Sequence, residues 1–254
     1  FLAMLPRGAH IVVTSDCYRR TRQFIQQYLS KLDVEATVIE PANTIQLKEA
    51  IREETCLFFT ESPTNPYLRV IDLPEAARVA HERGVKVIID STLASPMNHR
   101  PLADGADLVI HSATKYMGGH SDILAGAVAG KKELIKEVHE TALNFGGSLN
   151  AMTLYLLERS LKTIHLRVER INDNAMEVAH FLETHPAVRQ VNYPGLPGHP
   201  GHEIASRQMS GFGGMLSFEV AGQDGIEEAI ERAVVAGKKA ARPRKPQPLV
   251  DPLT

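Results

Sequence analysis

Leu108-Val109-Ile110-His111-Ser112-Ala113-Thr114-Lys115-Tyr116-Met117-Gly118-Gly119-His120 joins a short apolar run to two hydroxyls, a lysine and a glycine pair. The run follows Gly105-Ala106-Asp107 and suits a strand buried on both faces of a parallel sheet. Open α/β sheets bind ligands at the C-terminal ends of their strands, so Lys115 is delivered to a ligand-binding rim. Ser112 and Thr114 stand two apart, and in an extended segment their hydroxyls face the same way and can share one anion. A lysine among apolar residues and a charged ligand has a tunable amine, and such lysines form Schiff bases with carbonyl cofactors. Gly118-Gly119 permits close backbone approach. Alone, the string also describes a lysine in a solvated turn.

A second element narrows the choice. Val85-Lys86-Val87-Ile88-Ile89-Asp90 reads as a buried strand ending in a carboxylate, followed by the turn-like Ser91-Thr92-Leu93-Ala94-Ser95-Pro96. Asp90 therefore stands at the same rim as Lys115. A carboxylate there can keep a heterocyclic nitrogen protonated, which is the partner that an electron-sink cofactor such as pyridoxal phosphate needs. Cys56-Leu57-Phe58-Phe59-Thr60-Glu61 is a third apolar strand, leading into Ser62-Pro63-Thr64-Asn65-Pro66. The prolines stiffen that turn and can aim the Asn65 amide at a cofactor oxygen. The plainer alternatives are Asp90 as a helix cap and Asn65 as a turn former. Three strand ends carrying complementary chemistry weigh against coincidence.

Outward from these strands the pattern alternates. Strands are expected near His10–Thr14, Ala36–Ile39, Cys56–Thr60, Val85–Asp90, Asp107–His111 and Leu124–Ala129. Helical periodicity separates several of them: Tyr18–Ser30, Thr44–Glu53, and Leu73–Arg83 with Asp72 as cap and Gly84 as stop. Such alternation implies an α/β fold with a mostly parallel sheet flanked by helices. Beyond Lys131 the chain is helix-rich, with a long candidate over Thr163–Thr184, and the Pro- and Gly-rich Gly195–Gly201 reads as a loop into a smaller unit.

Phe59-Thr60-Glu61-Ser62-Pro63-Thr64-Asn65-Pro66, Ile89-Asp90-Ser91-Thr92 and His111-Ser112-Ala113-Thr114-Lys115-Tyr116 together resemble the Cys/Met-metabolism family of pyridoxal-phosphate (PLP) enzymes. That family includes cystathionine γ-synthase, cystathionine γ- and β-lyases, methionine γ-lyase and the homoserine sulfhydrylases. His202 to Val220 is most similar to the γ-synthase branch. The resemblance implies a fold-type-I large domain over residues 1–145, a helical connection over 146–190, and a partial C-terminal α+β domain over 191–236. It implies PLP as cofactor, with Lys115 carrying it covalently and moving protons, and Asp90 paired with the pyridine nitrogen. Ser112 and Thr114 would bind the phosphate, and Asn65 would lie near the phenolic oxygen. Tyr18 would stack on the ring and assist the leaving group, with Thr92 beside the ring. The implied reaction is γ-replacement, joining activated homoserine and cysteine into cystathionine, and a γ-lyase acting on cystathionine or methionine is the alternative. Amino-acid substrates and a homo-oligomer, a dimer of dimers, are the implied partners.

Composition agrees with this class. The chain has 254 residues, 43% of them hydrophobic, enough for a sizeable core. A formal net charge of -2 gives no reason to expect nucleic acid or an anionic membrane surface. No stretch approaches the roughly 20 apolar residues of a membrane span. Cys17 and Cys56 make no disulfide framework, so reduced thiols in a cytoplasmic compartment are expected, with an organelle possible through a lost transit peptide. His111, His120 and Asp122 fit no zinc spacing, and no metal is expected. Arg19, Arg20 and Arg22 read as a solvated helix surface.

The ends carry further expectations. Phe1-Leu2-Ala3-Met4-Leu5 resembles the tail of a helix, and the resemblance puts a glycine-rich phosphate loop, a tyrosine and an arginine upstream of it. No arginine of this chain is assigned to the substrate carboxylate. Residues 237–254, rich in Pro, Lys and Arg, read as a disordered tail. The rival reading is a non-catalytic remnant of a PLP-binding fold.

Overall fold

Short runs rich in Val, Ile and Phe become strands because branched and aromatic side chains pack well on a pleated surface. In the computed structural model, which describes residues 1–41 and 43–220, these are β1 (His10–Thr14), β2 (Glu35–Ile39), β3 (Thr55–Glu61), β4 (Lys86–Asp90), β5 (Leu108–Ser112) and β6 (Gly126–Gly130). Their order in the sheet is β2-β1-β3-β4-β5-β6. Neighbours from β2 through β5 are parallel, and β6 is antiparallel to β5. Parallel neighbours need long crossovers, which contain α1 (Arg19–Gln27), α2 (Thr44–Ala50), α3 (Leu73–His81) and the short α4 (Ser95–Asn98).

Both faces of the sheet are covered. On one face Val12, Phe58, Val87, Ile89 and Val109 pack against Leu47 of α2 and Leu73, Ala76 and Ala80 of α3. On the other, Ile11, Val13, Leu57, Phe59, Ile88 and Leu108 meet Ile25 of α1, with Leu134, Ile135 and Val138 of α5 (Lys132–Phe145) alongside. Each such buried aliphatic or aromatic side chain contributes about 1.5–3 kcal/mol relative to exposure. The α3 boundaries follow their local chemistry. Asp72 accepts the Glu75 N–H at 3.4 Å, and Gly84 takes a φ of +71° just beyond the helix.

The helix expected over Tyr18–Ser30 is interrupted: α1 ends at Gln27 and a 3-10 turn follows over Leu29–Leu32. That turn buries Leu29 against the sheet and ends at Asp33, whose φ is +59°. The sixth strand starts at Gly126 rather than Leu124, because the backbone of Ala125 is taken by the Thr114 hydroxyl. Phe1 to Leu5 form a hydrogen-bonded turn, with the Met4 and Leu5 N–H groups both donating to the Phe1 carbonyl, the second with the i→i−4 spacing of a helix.

Beyond α5 lie α6 (Ala151–Leu161), α7 (Ile164–Glu183), β7 (Val188–Asn192), α8 (His202–Gln208) and β8 (Ser217–Val220), with β7 and β8 antiparallel. This part is tied back to the sheet. Asn98 and Asn172 exchange two side-chain bonds of 2.9 Å, and Gln208 bonds Leu73 and Ile71 at 2.8 and 2.9 Å. The end of the unit expected over 191–236 and the whole tail expected over 237–254 lie outside the described residues.

Candidate active site at the C-terminal rim of the sheet

Three strand ends meet at one level. Register pairs Phe59 with Ile88 and Ile88 with Leu108, and one step further on pairs Glu61 with Asp90 and Asp90 with Ile110. Side chains alternate along a strand, so Glu61, Asp90 and Ile110 share the face occupied below by Phe59, Ile88 and Leu108. Ser112 has the same facing two residues after Ile110. The chain runs outward from β1 to β2 in one direction and from β3 onward in the other. The crevice between β1 and β3 is therefore the topological switch point, where such sheets hold ligands.

Asp90 is oriented by its neighbour. Its Oδ1 accepts the Thr92 N–H at 2.9 Å and the Thr92 hydroxyl at 2.5 Å. The same hydroxyl accepts the Ser112 N–H at 2.7 Å, tying β5 to β4. Asp90 Oδ2 has no hydrogen-bond partner among the described residues. Burial pushes the Asp90 carboxyl above its ordinary pKa, while the Thr92 bonds and the nearby His111 oppose that rise. Burial also lowers the His111 pKa, and the Asp90 charge opposes that shift.

Lys115 is exposed, in a turn that follows β5. The expected extended Ser112-Ala113-Thr114 segment is not formed: the strand stops at Ser112, and the Lys115 N–H closes back on the Ser112 carbonyl at 3.0 Å. Thr114 instead exchanges two bonds with the Ala125 backbone, at 3.1 and 3.3 Å. The glycine pair serves this turn rather than an incoming ligand. Gly118 is pressed against the Ala113 carbonyl and Ile123, and Gly119 has a φ of +77° where a Cβ would overlap the Arg167 guanidinium.

Arg167 braces the same turn. It donates to the carbonyls of Tyr116 at 2.7 Å, Met117 at 3.3 Å and Ser160 at 2.8 Å, and to the Thr163 hydroxyl at 3.2 Å. Lys115, Thr114 and Tyr116 line a cavity of about 860 Å³, to whose wall Ile171, Gly214 and Met215 also contribute. The Tyr116 hydroxyl accepts the Gly214 N–H at 2.9 Å and so fixes that wall.

Tyr18 is exposed immediately before α1, beside an apolar cavity of about 520 Å³ running along Ile88, Leu108 and Ile110. Its backbone N–H donates to Glu61 Oε2 at 2.8 Å. Asn65 is exposed in the loop after β3. Hydrogen bonds thus join Asp90, Thr92 and Ser112, and Lys115 and Thr114 share a cavity. Tyr18 borders the other cavity, and Asn65 lines neither. Among the described residues no cluster of His, Cys, Asp or Glu is arranged for a metal, and no helix is long and apolar enough to cross a membrane.

Sequence reasoning missed Glu61, Arg167 and Tyr116 as parts of the site. Glu61 was within reach, since a glutamate closing an apolar parallel strand beside another ending in Asp90 puts two carboxyls side by side. Arg167 carried no such signal, because the partners that tie it to the Lys115 turn are backbone carbonyls about 50 residues away.

An accessible primary amine, a carboxylate with one free oxygen and an aromatic ring, set around a parallel sheet's C-terminal rim, fit pyridoxal phosphate. The fold itself is the mostly parallel, helix-flanked sheet of fold type I. A family profile described as "Cys/Met metabolism PLP-dependent enzyme" matches residues 1–238, and the chain belongs to that family. It is similar to cystathionine gamma-synthase 1, chloroplastic, of Arabidopsis thaliana: 52% identical over 231 residues, which is 91% of this chain and 41% of that protein. It is also similar to cystathionine gamma-lyase of Bacillus subtilis (strain 168), with 42% identity, 87% of this chain and 58% of that protein. Among solved structures, metB from Corynebacterium glutamicum superposes with a TM-score of 0.85 at 40% identity, over 87% of this chain and 58% of that one. The chain thus spans between two fifths and three fifths of the length of these relatives.

Proposed function

We propose that this chain carries the reactive side of a γ-replacement site, in which activated homoserine and cysteine are joined to give cystathionine. The observation that supports it most is the placement of Lys115, Asp90 and Tyr18 at one sheet rim, in a chain 52% identical to a γ-synthase. Bound PLP supplies an electron sink that stabilises negative charge on a substrate carbon. Lys115 would hold the cofactor, and its Nζ would serve as base and acid, taking a proton from one substrate carbon and returning it to another. Asp90 Oδ2 would accept a hydrogen bond from the protonated ring nitrogen. Thr92 keeps that carboxylate fixed, and Tyr18 covers the ring and assists departure of the γ-substituent. Ser112 and Thr114 are the phosphate ligands of this reading, and Asn65 lies toward the phenolic oxygen. Residues 1–145 act as the cofactor domain, and the substrates are small amino acids.

A γ-lyase is the second reading, favoured by the 42% identity to a cystathionine gamma-lyase. The two differ in which nucleophile reaches the unsaturated substrate. The deciding experiment uses the full-length protein. Borohydride reduction in the presence of PLP is expected to leave a covalent adduct on the peptide containing Lys115, absent in Lys115→Ala. Cystathionine formed from O-activated homoserine and cysteine supports replacement. A keto acid and ammonia from cystathionine instead mark the lyase, and no adduct in the parent protein sinks both readings.

A further inference from the structure

Glu61 is a buried acid that the proposed reaction leaves unused. Only 4% of its surface is exposed, and it closes β3 beside Asp90. An ionisable side chain is seldom buried this deeply unless its charge or its hydrogen bonds are needed. Its Oε2 accepts the Tyr18 N–H at 2.8 Å, across the switch point between β1 and β3. Among the described residues the Tyr18 N–H has no other partner. Tyr18 is the residue before α1, its carbonyl already serves the Thr21 and Arg22 N–H groups, and its side chain makes no capping bond.

We propose that Glu61 is a positioning residue of this site, acting through Tyr18: its carboxyl group fixes the Tyr18 backbone, and with it the phenol, at the rim of the cofactor pocket. The inference rests on the reading that Tyr18 faces the cofactor.

The groups around Glu61 agree. Asp16 and Cys17 face it from the loop after β1 and Asp90 from β4, while the nearby Arg69 is 3.5 Å from Asp16 and reaches Glu40 at 2.9 Å. Burial first, then the Asp90 charge, raises the Glu61 pKa to about 8, against the pull of the Tyr18 and Asn65 N–H groups. The side chain is therefore protonated in much of the neutral range. Its carbonyl oxygen still accepts the Tyr18 N–H. An amide has the same shape as that protonated acid, so Glu61→Gln is the conservative variant. Glu61→Asp withdraws the acceptor by one methylene.

The test is hydrogen exchange of the segment containing Tyr18 in the full-length protein, with and without PLP, together with PLP affinity from absorbance. Loss of one hydrogen bond between uncharged groups is worth roughly 2- to 10-fold in an equilibrium. Glu61→Asp and Glu61→Ala are therefore expected to exchange several-fold faster at Tyr18 and to bind PLP several-fold more weakly, with Glu61→Gln close to the parent in both. Parent-like exchange at Tyr18 in folded Glu61→Asp, or Glu61→Gln as impaired as Glu61→Asp, overturns the inference. A protein that takes no PLP on Lys115 fails the proposed function instead, and the exchange measurement still decides the Glu61–Tyr18 link.

Discussion

Replacing Gly119 with alanine and Arg167 with methionine, singly and together, probes how the turn bearing Lys115 is held. Arg167→Met removes four hydrogen bonds from one guanidinium, to the carbonyls of Tyr116, Met117 and Ser160 and the hydroxyl of Thr163. Bonds from a charged donor are worth about 1.5–3 kcal/mol when buried. Arg167 is half-buried and its Met117 contact is long at 3.3 Å, so we expect a net loss of about 2–3 kcal/mol after water rehydrates the freed carbonyls. Gly119→Ala adds about 1–2 kcal/mol of left-handed backbone strain and pushes the guanidinium off the same carbonyls. With Met at 167 that second cost has nothing left to act on. The double variant should therefore lose about 1–2 kcal/mol less than the sum of the singles. Urea unfolding of the four proteins gives the stabilities, and the rate of borohydride-trapped PLP on Lys115 reports the turn itself. Additivity within about 0.5 kcal/mol, or an Arg167→Met protein as stable as the parent, would refute the brace.

Other outcomes follow from the same geometry. Glu61 has its folded pKa raised from 4.5 to about 8. Its contribution to stability is thus fully present below about pH 4.5 and lost as pH rises toward 8, at up to about 1.4 kcal/mol per pH unit. Thermal melts of Glu61→Gln against the parent should show a gap widening in the variant's favour from pH 5 to 8, and a constant gap would contradict this. Burial lowers the pKa values of His10, His99, His111 and His199. They work in the opposite sense, their contribution being present above about pH 6.5 and lost as pH falls. Asp90→Asn should weaken PLP binding by about 10–100-fold through loss of a charge-assisted contact, measured by absorbance titration; unchanged affinity would remove Asp90 from the site. Thr92→Val leaves the Ser112 N–H unpaired and removes the hydroxyl from Asp90 while its backbone N–H bond remains, at a cost of about 1–3 kcal/mol in urea unfolding. Tyr193→Phe strips the Gly213 carbonyl of a buried partner at 2.9 Å and should cost about 1–2 kcal/mol, seen as a lowered melting temperature.

Local chemistry carried much of this protein in legible form. Apolar runs of β-branched residues marked the strands, because a strand buried on both faces has no polar position to confuse its pattern. Asp72 and Gly84 marked one helix, since a cap and a left-handed stop are written in single residues. Lys115, Asp90, Ser112 and Thr92 could be placed at one rim for the same reason: each follows a recognisable strand, and parallel strands deliver their C-terminal ends to one edge of the sheet. What remained hidden depends on pairs distant in the chain. The turn at Ala113 that takes the Thr114 hydroxyl to Ala125, the Arg167 brace and the Glu61 bond to Tyr18 each join segments from 11 to 51 residues apart. Periodicity is blind to such contacts, since a backbone carbonyl or N–H looks alike in every residue. The sequence by itself determined the sheet and the strand ends that carry Asp90 and lead to Lys115. Only the tertiary structure decided which groups hold them still, because orientation is set by hydrogen bonds that exist only once β1, β3, β4, β5 and α7 have packed together.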